Sequence, residues 1–334
     1  MNNGQFERRG FLKIISMGTF LALSGWWSQL LASALPSQPA GHSLPDTQPG
    51  KSPVVIVTSE HPVLRHDGAN RRILREMIGT GLIELTHSSS VRSAIAKLFD
   101  PKDIIGFKFD STNEQLLRTN QPLAEELLRL FVSEGGFAPD QLIFINVAPE
   151  LTTVSRPARQ APFGWTKEID FASGKDQLQI VLEKVTAWVN VPVLRADAIT
   201  AVSGCVKNVT YGFLRHPARF HDNQCTPYLA DIYNLPLIRN KIRFNLVNSL
   251  KVLIQNDVLD GPDAVYEHQS LLFSFDPVAA DIVGFDIIDR LRAKANLTPM
   301  LEGRDFPAYL IDAARKGIGK YHPDQIDLRP VDVP

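Results

Sequence analysis

The chain has 334 residues, and its 35 Lys and Arg against 36 Asp and Glu give a formal charge of −1. That balance offers no basic footprint for nucleic acid, so no nucleic-acid partner is expected. There are only two cysteines, Cys205 and Cys225, and no Cys-x-x-Cys, which excludes an iron–sulfur cluster held by thiolates alone.

The first element is an export signal. Arg8-Arg9-Gly10-Phe11-Leu12-Lys13 has the pattern of the twin-arginine route, an uncharged apolar stretch runs from Ile14 to Leu31, and Ala32-Ser33-Ala34 supplies small residues for a signal peptidase. Residues 1–34 are therefore expected to be a cleaved twin-arginine signal peptide. The export machinery is then a partner, and the location is periplasmic or otherwise extracytoplasmic. The competing reading is an uncleaved membrane tether. The apolar stretch is at the lower limit for spanning about 30 Å of hydrocarbon, and Gly18, Ser24, Gly25, Ser28 and Gln29 weaken it as a span. Residues 35–53 follow as a linker: five prolines with Ser, Gly, Gln and Thr cannot bury enough surface to fold. Cleavage would remove three of the 35 basic and one of the 36 acidic residues, leaving a charge of −3.

Residues 54–330 read as one α/β domain. Val54–Val57 is a short apolar run with the look of a buried strand. Apolar positions at helical spacing predict a helix over Ser90–Phe99 and another over Pro122–Val132, the second ended by Gly135-Gly136. Strands are predicted at Ile104–Phe109, Leu142–Val147, Trp188–Leu194, Ile242–Val247 and Leu271–Phe275, and a long apolar helix from Asp276 to about Ala293. Strands alternating with amphipathic helices predict a mostly parallel or mixed sheet with helices on both faces. Between Ala196 and Tyr233 the periodicity fails, and Gly, Asn, His, Pro and Cys gather in an irregular insertion. A long irregular segment rich in Tyr, Phe and Leu reads as functional rather than disordered.

Three groups of residues could carry chemistry. Ser203-Gly204-Cys205-Val206-Lys207-Asn208 combines a permissive glycine, a point charge and an amide, so it is either an anion site or a structured turn. His216 to Cys225 contains His221, Asp222 and Cys225, all possible ligands for a transition metal, although the spacing fits no standard zinc pattern. If the segment's end is helical, His221 and Cys225 share a face. The competing reading is a loop stapled by a Cys205–Cys225 disulfide, and a bridged Cys225 cannot ligate as a thiolate. In Asp276-Pro277-Val278-Ala279-Ala280-Asp281, Asp276 sits where an N-cap belongs and Pro277 at the first helical position. Asp281 lies inside the apolar helix and needs a partner: Lys207, an arginine or a metal. Lys108 and Asp110 end a strand, the place where ligand crevices open in parallel sheets, and also where ordinary loop charges sit. Gly-x-Ser-x-Gly, His-Glu-x-x-His and Gly-x-Gly-x-x-Gly are absent, leaving serine-hydrolase, zincin and dinucleotide readings without support.

Val191-Pro192-Val193-Leu194, Ser203–Asn208, His221-Asp222-Asn223-Gln224-Cys225-Thr226-Pro227-Tyr228 and Asp276–Asp281, in that order, resemble the exported branch of the domain-of-unknown-function 362 family, from about Val54 to about Ala293. Some relatives carry ferredoxin-type modules, which implies a redox or metal setting and a redox partner, but the family supplies no general reaction. This chain departs from the pattern in three places. Lys108-Phe109-Asp110 stands where relatives have Lys-x-Asn, Arg195-Ala196-Asp197 where they have a Lys-x-His type of element, and Asn146-Val147-Ala148-Pro149 replaces an acidic–basic element. The expectation is an exported protein, a redox-associated enzyme or accessory, with one crevice for a small anionic ligand and a metal or cofactor. Lys108, Cys205, Lys207, Asn208, Asp276 and Asp281 would line the ligand, and His221, Asp222 and Cys225 would hold a transition metal. The alternative is a non-catalytic binding protein for a metal or small anion.

Overall fold

The computed structural model describes residues 50–65, 68–147, 158–255, 264–301 and 306–334. The predicted signal peptide and nearly all of the predicted linker lie outside the described residues, as do Ala148 and Pro149. Among the described residues no helix is long and apolar enough to cross a membrane.

Nine strands form one mixed sheet: β1 (Ser52–Ser59), β2 (Ile105–Phe109), β3 (Leu142–Ile145), β4 (Ala187–Val191), β5 (Val193–Asp197), β6 (Ala201–Ser203), β7 (Ile242–Leu253), β8 (Val265–Ser274) and β9 (Ile326–Val333). Their order is β9-β1-β8-β7-β4-β2-β3, with β5 beside β7 and β6 beside β5. Only β8 and β6 run against the others. The predicted α/β class therefore holds, with a mostly parallel sheet and an antiparallel minority. Leu271–Phe275, read as a short strand, is the end of β8, which pairs antiparallel with both β7 and β1. An antiparallel pair needs no crossover helix, and none separates β7 from β8 in the described chain.

Helices cover both faces. On one face lie α1 (Arg71–Thr86), α2 (Val91–Leu98) and α4 (Asn120–Ser133), with the four-residue α3 (Glu114–Leu117) just before α4. Ile73, Leu74, Met77 and Ile78 of α1, Ile95 of α2 and Leu127 and Phe131 of α4 pack with Phe107, Phe109 and Phe273 of the sheet. The other face carries α5 (Cys205–Asn208), α6 (Tyr228–Tyr233), α7 (Pro277–Lys294) and α8 (Ala308–Arg315), whose Val206, Leu229, Ile282, Ile288 and Leu310 join a second core with Trp188 and Val247. The two cores alternate along β1, β3 and β8, as the two-residue period of a strand requires. On β2, Phe107 and Phe109 face the first core.

The boundaries shift slightly from expectation. Trp188–Leu194 is not one strand: Pro192, which has no N–H to offer a ladder, divides it into β4 and β5. Among the described residues the sheet starts at Ser52, inside the predicted linker, and reaches Val333, because β9 pairs in parallel with the whole of β1.

The connections create a switch point. β2 and β4 are parallel neighbours, paired from Ile105–Ala187 to Phe109–Val191. After β2 the chain passes through α3 and α4 on the first face to reach β3. After β4 and β5 it turns through β6 into α5 on the opposite face. Where neighbouring parallel strands send their connections to opposite faces, a crevice opens outside their carboxyl ends. Here that place is bounded by Asp110, immediately after β2, and by Arg195 and Asp197 at the end of β5.

Candidate functional site

Below the crevice lies a closed amide network. Asn208 of α5 donates to the Asn190 side chain (2.8 Å) and to the Lys108 carbonyl (2.9 Å). Asn190 donates to Asn245 (2.8 Å) and to the Cys205 carbonyl (2.9 Å), and Asn245 donates to the Ser274 carbonyl (3.1 Å). All three asparagines are buried. Their mutual bonds join β2, β4, β7, β8 and α5, and a fully satisfied buried network of this kind specifies one arrangement.

Lys108 ends in this network. It is fully buried, and its Nζ donates to the Asn208 Oδ1 (3.1 Å) and the Phe109 carbonyl (2.9 Å), 5.5 Å from the Phe213 ring centroid. Burial pulls its amine down to about 8, with the nearby Asp110 charge opposing the fall. Gly212 leaves room for it, since a Cβ there would stand 2.7 Å from the Nζ.

α5 is fixed from its other end by Asp281. The carboxylate accepts from the Cys205 N–H (2.5 Å) and the Val206 N–H (3.1 Å), and the Tyr309 hydroxyl donates to it (3.4 Å). Gly204 is required at this contact, because a Cβ there would lie 2.2 Å from Asp281 Oδ1. The expected partner for Asp281, a cation or metal, is thus corrected: two main-chain amides and a phenol hold it. Burial pushes its carboxyl up to about 6, against the pull of those amide bonds. Asp276 caps α7 as predicted, accepting from Val278 N and Ala279 N (2.9 Å each). It also accepts from the Ser52 hydroxyl and Lys320 N, so its bonding is spent inside the fold.

The crevice itself carries a chain of charges. Arg195 reaches Asp110 through Nε and Asp197 through Nη1, both at 3.4 Å, and Lys207 reaches Asp197 at 2.7 Å. Asp197 Oδ1 also accepts from Ile199 N, Thr200 N and the Thr200 hydroxyl, which fixes the β5–β6 turn. Burial alone would raise the Asp197 carboxyl. The charge and hydrogen bond of Lys207, the Thr200 N–H and the Arg195 charge outweigh it and hold the group well below the usual carboxylate range. Lys108, Lys207 and Asn208 are therefore brought to one region as expected. Asp110, Arg195, Asp197 and Thr200 complete it and were not among the predicted site residues. Three of these four stand at the departures from the family pattern, so the signal was present in the sequence.

The His221–Cys225 segment differs from expectation. Asn223, Gln224 and Cys225 have φ of 48°, 54° and 62°, a left-handed turn rather than a right-handed helix, so His221 and Cys225 do not share a helical face. Three consecutive non-glycine residues in that region carry backbone strain. The turn is held partly by the His221 ring, 5.1 Å from that of Tyr211. Asp222 is exposed, while Cys225 is buried near Tyr211, whose hydroxyl donates to the Phe220 carbonyl. Among the described residues, no three or more His, Cys, Asp or Glu side chains are placed to hold a metal ion. The predicted trio does not converge.

Both cysteines are free. The possible Cys205–Cys225 bridge is corrected: Cys205 sits at the start of α5 against Asp281, and Cys225 turns to Tyr211. Burial raises both thiols, so neither has the character of a reactive thiolate.

Residues 166–286 match the family described as Domain of unknown function (DUF362). The match supports the expected family. The DUF362 span runs from before β4 into α7, and so includes Asn190, Arg195, Asp197, Lys207, Asn208, Asn245, His221, Cys225 and Asp281. It does not reach Lys108 or Asp110 on the other side of the crevice. No curated protein and no solved structure matches the chain.

Proposed function

We propose that this protein is exported by the twin-arginine route and binds a small anion in the crevice at the ends of β2 and β4. The export half rests on Arg8-Arg9, the apolar stretch behind them and Ala32-Ser33-Ala34. The binding half is carried by one observation: Arg195 is held only at 3.4 Å by each of two carboxylates, and its Nη2 bonds to no other described residue. A guanidinium keeps a planar fork for bidentate recognition of a carboxylate or oxyanion, and here part of that fork is uncommitted. The charges point the same way. Arg195 and Lys207 stand against Asp110 and Asp197 in the crevice, and the Lys108 amine, buried beneath them, adds a positive charge below its floor. The transition-metal reading has no comparable support, since its three ligands stay apart.

Sulfate is a suitable probe, because it does not titrate near neutral pH. Calorimetric titration of the purified protein at low ionic strength should show one sulfate per chain. Arg195→Ala should weaken binding about tenfold or more, the worth of one charge-assisted contact. Absence of sulfate binding, or equal binding by wild type and Arg195→Ala, contradicts the reading.

A further inference from the structure

Glu114, on α3 directly behind Asp110, is used by nothing described so far. Its Oε1 accepts from the Asn120 N–H (2.9 Å), while its Oε2 is buried without a hydrogen-bond partner among the described residues. A buried carboxylate oxygen lacking a donor is costly when charged, and protonation removes the cost. Glu114 also belongs to the crevice's own framework. The Asn120 side chain donates to the Asp110 carbonyl (2.6 Å), and Asn248 of β7 donates to the Asn120 side chain (3.0 Å). One asparagine thus ties Glu114, the Asp110 backbone and the sheet together.

We propose that Glu114 is the proton-exchanging residue of this crevice, taking up a proton when an anion binds at Arg195. The inference rests on the anion reading above and extends it to the site's regulation. The relay has two steps. An incoming anion competes with Asp110 for Arg195, whose 3.4 Å contact is long for a charged hydrogen bond. Asp110 then loses part of its counter-charge, and its negative field falls more strongly on Glu114. Glu114 answers by binding a proton from solvent; no other bond forms or breaks. Binding of the anion is by reciprocity tighter when Glu114 is already protonated.

The surroundings of Glu114 support this. Burial comes first in pushing its carboxyl up to about 7, the Asn120 and Gln121 N–H groups oppose it, and the Asp110 charge adds to the rise. From α4 the facing groups are those two neutral amides, and from β7 the neutral Asn248 through Asn120. The loop after β2 contributes Asp110, whose own partner is Arg195 on β5. Arg118, which ends α3, donates to the Gln115 carbonyl at the exposed surface.

The test is sulfate calorimetry on the full chain at pH 7 in two amine buffers of different protonation enthalpy, which yields protons bound per sulfate. With Glu114 near half-protonation in the free protein, about half a proton should be taken up at pH 7, falling toward zero below about pH 5.5. Glu114→Gln should bind sulfate at least as tightly and take up none, and Asp110→Asn should diminish the uptake. Sulfate binding without proton uptake, or equal uptake in Glu114→Gln, overturns this proposal and leaves the anion site standing. Failure of sulfate to bind at all overturns both.

Discussion

Replacing Asp281 with alanine should destabilise the protein by about 2–4 kcal/mol, a large share of the roughly 5–15 kcal/mol that holds a typical domain together. The carboxylate is 1 % exposed and is the acceptor for two main-chain amides at the start of α5. Alanine leaves both donors buried without a partner, each costing about 1–3 kcal/mol. Part of that cost is offset, because the alanine variant no longer buries a charge. The carboxyl stands at about 6 when folded, against 3.8 as an isolated group. A raised acid binds more protons folded than unfolded, so its contribution is greatest below pH 3.8 and is lost as pH rises through 6. Asp281→Asn keeps one acceptor and should fall between the alanine variant and wild type. Urea midpoints at pH 7 check the order. A loss below about 1 kcal/mol for alanine would mean α5 is not held from this side.

Lys108 predicts the opposite pH dependence. Its amine stands at about 8 when folded and 10.5 as an isolated group. Between those values the unfolded chain holds the proton and the folded protein does not, so stability rises with pH across the window. Below about 8 the folded protein carries a buried cation whose partners are a carbonyl and an amide oxygen, not a carboxylate. Other lysines, tyrosines and thiols titrate in the same range, so the informative quantity is wild type minus Lys108→Met. That difference should move toward wild type by about 2 kcal/mol between pH 7 and pH 9.5. A difference that stays constant over this range would place the lysine amine in contact with water.

The fold was legible where the sequence pattern is local. The apolar runs at Val54, Ile104 and Leu142 and the helical spacing after Ser90 and Pro122 all mark elements that are present. Asp276-Pro277 announced the start of α7, because an N-cap followed by proline needs only neighbouring residues. α1 escaped notice although Asn70 caps it and Ile73, Leu74, Met77 and Ile78 have helical spacing. Gly79 and Gly81 obscure it. Gly81 is there for packing, since a Cβ would meet the Phe273 ring at 2.1 Å. β9 also escaped: Pro330 and three charged residues look like a tail, yet they suit an edge strand, where they discourage pairing with other chains.

The site was half legible, for a reason that lies in topology. Lys207 and Asn208 stand out by residue type within a short segment. Their partners Asp197, Lys108 and Asn190 are brought to them by the sheet order, which no local pattern encodes. Asp110 and Arg195, read in the sequence as departures from a family pattern, form an ion pair across the crevice, and it is the sheet order that brings the end of β2 to the strand following β4. The His221–Cys225 cluster shows the converse. Ligand-type residues close in sequence are turned apart by three left-handed residues, so proximity along the chain did not become a coordination sphere.

The central claim is that the carboxyl ends of β2 and β4 receive an anion at Arg195. The most direct measurement is a crystal of the protein soaked in selenate, whose selenium is located by its anomalous signal. The account predicts a selenate within hydrogen-bonding reach of Arg195, with the Asp110–Arg195 contact lengthened, and no such peak in Arg195→Ala. A selenate bound only elsewhere, with Arg195 still between Asp110 and Asp197, would contradict it.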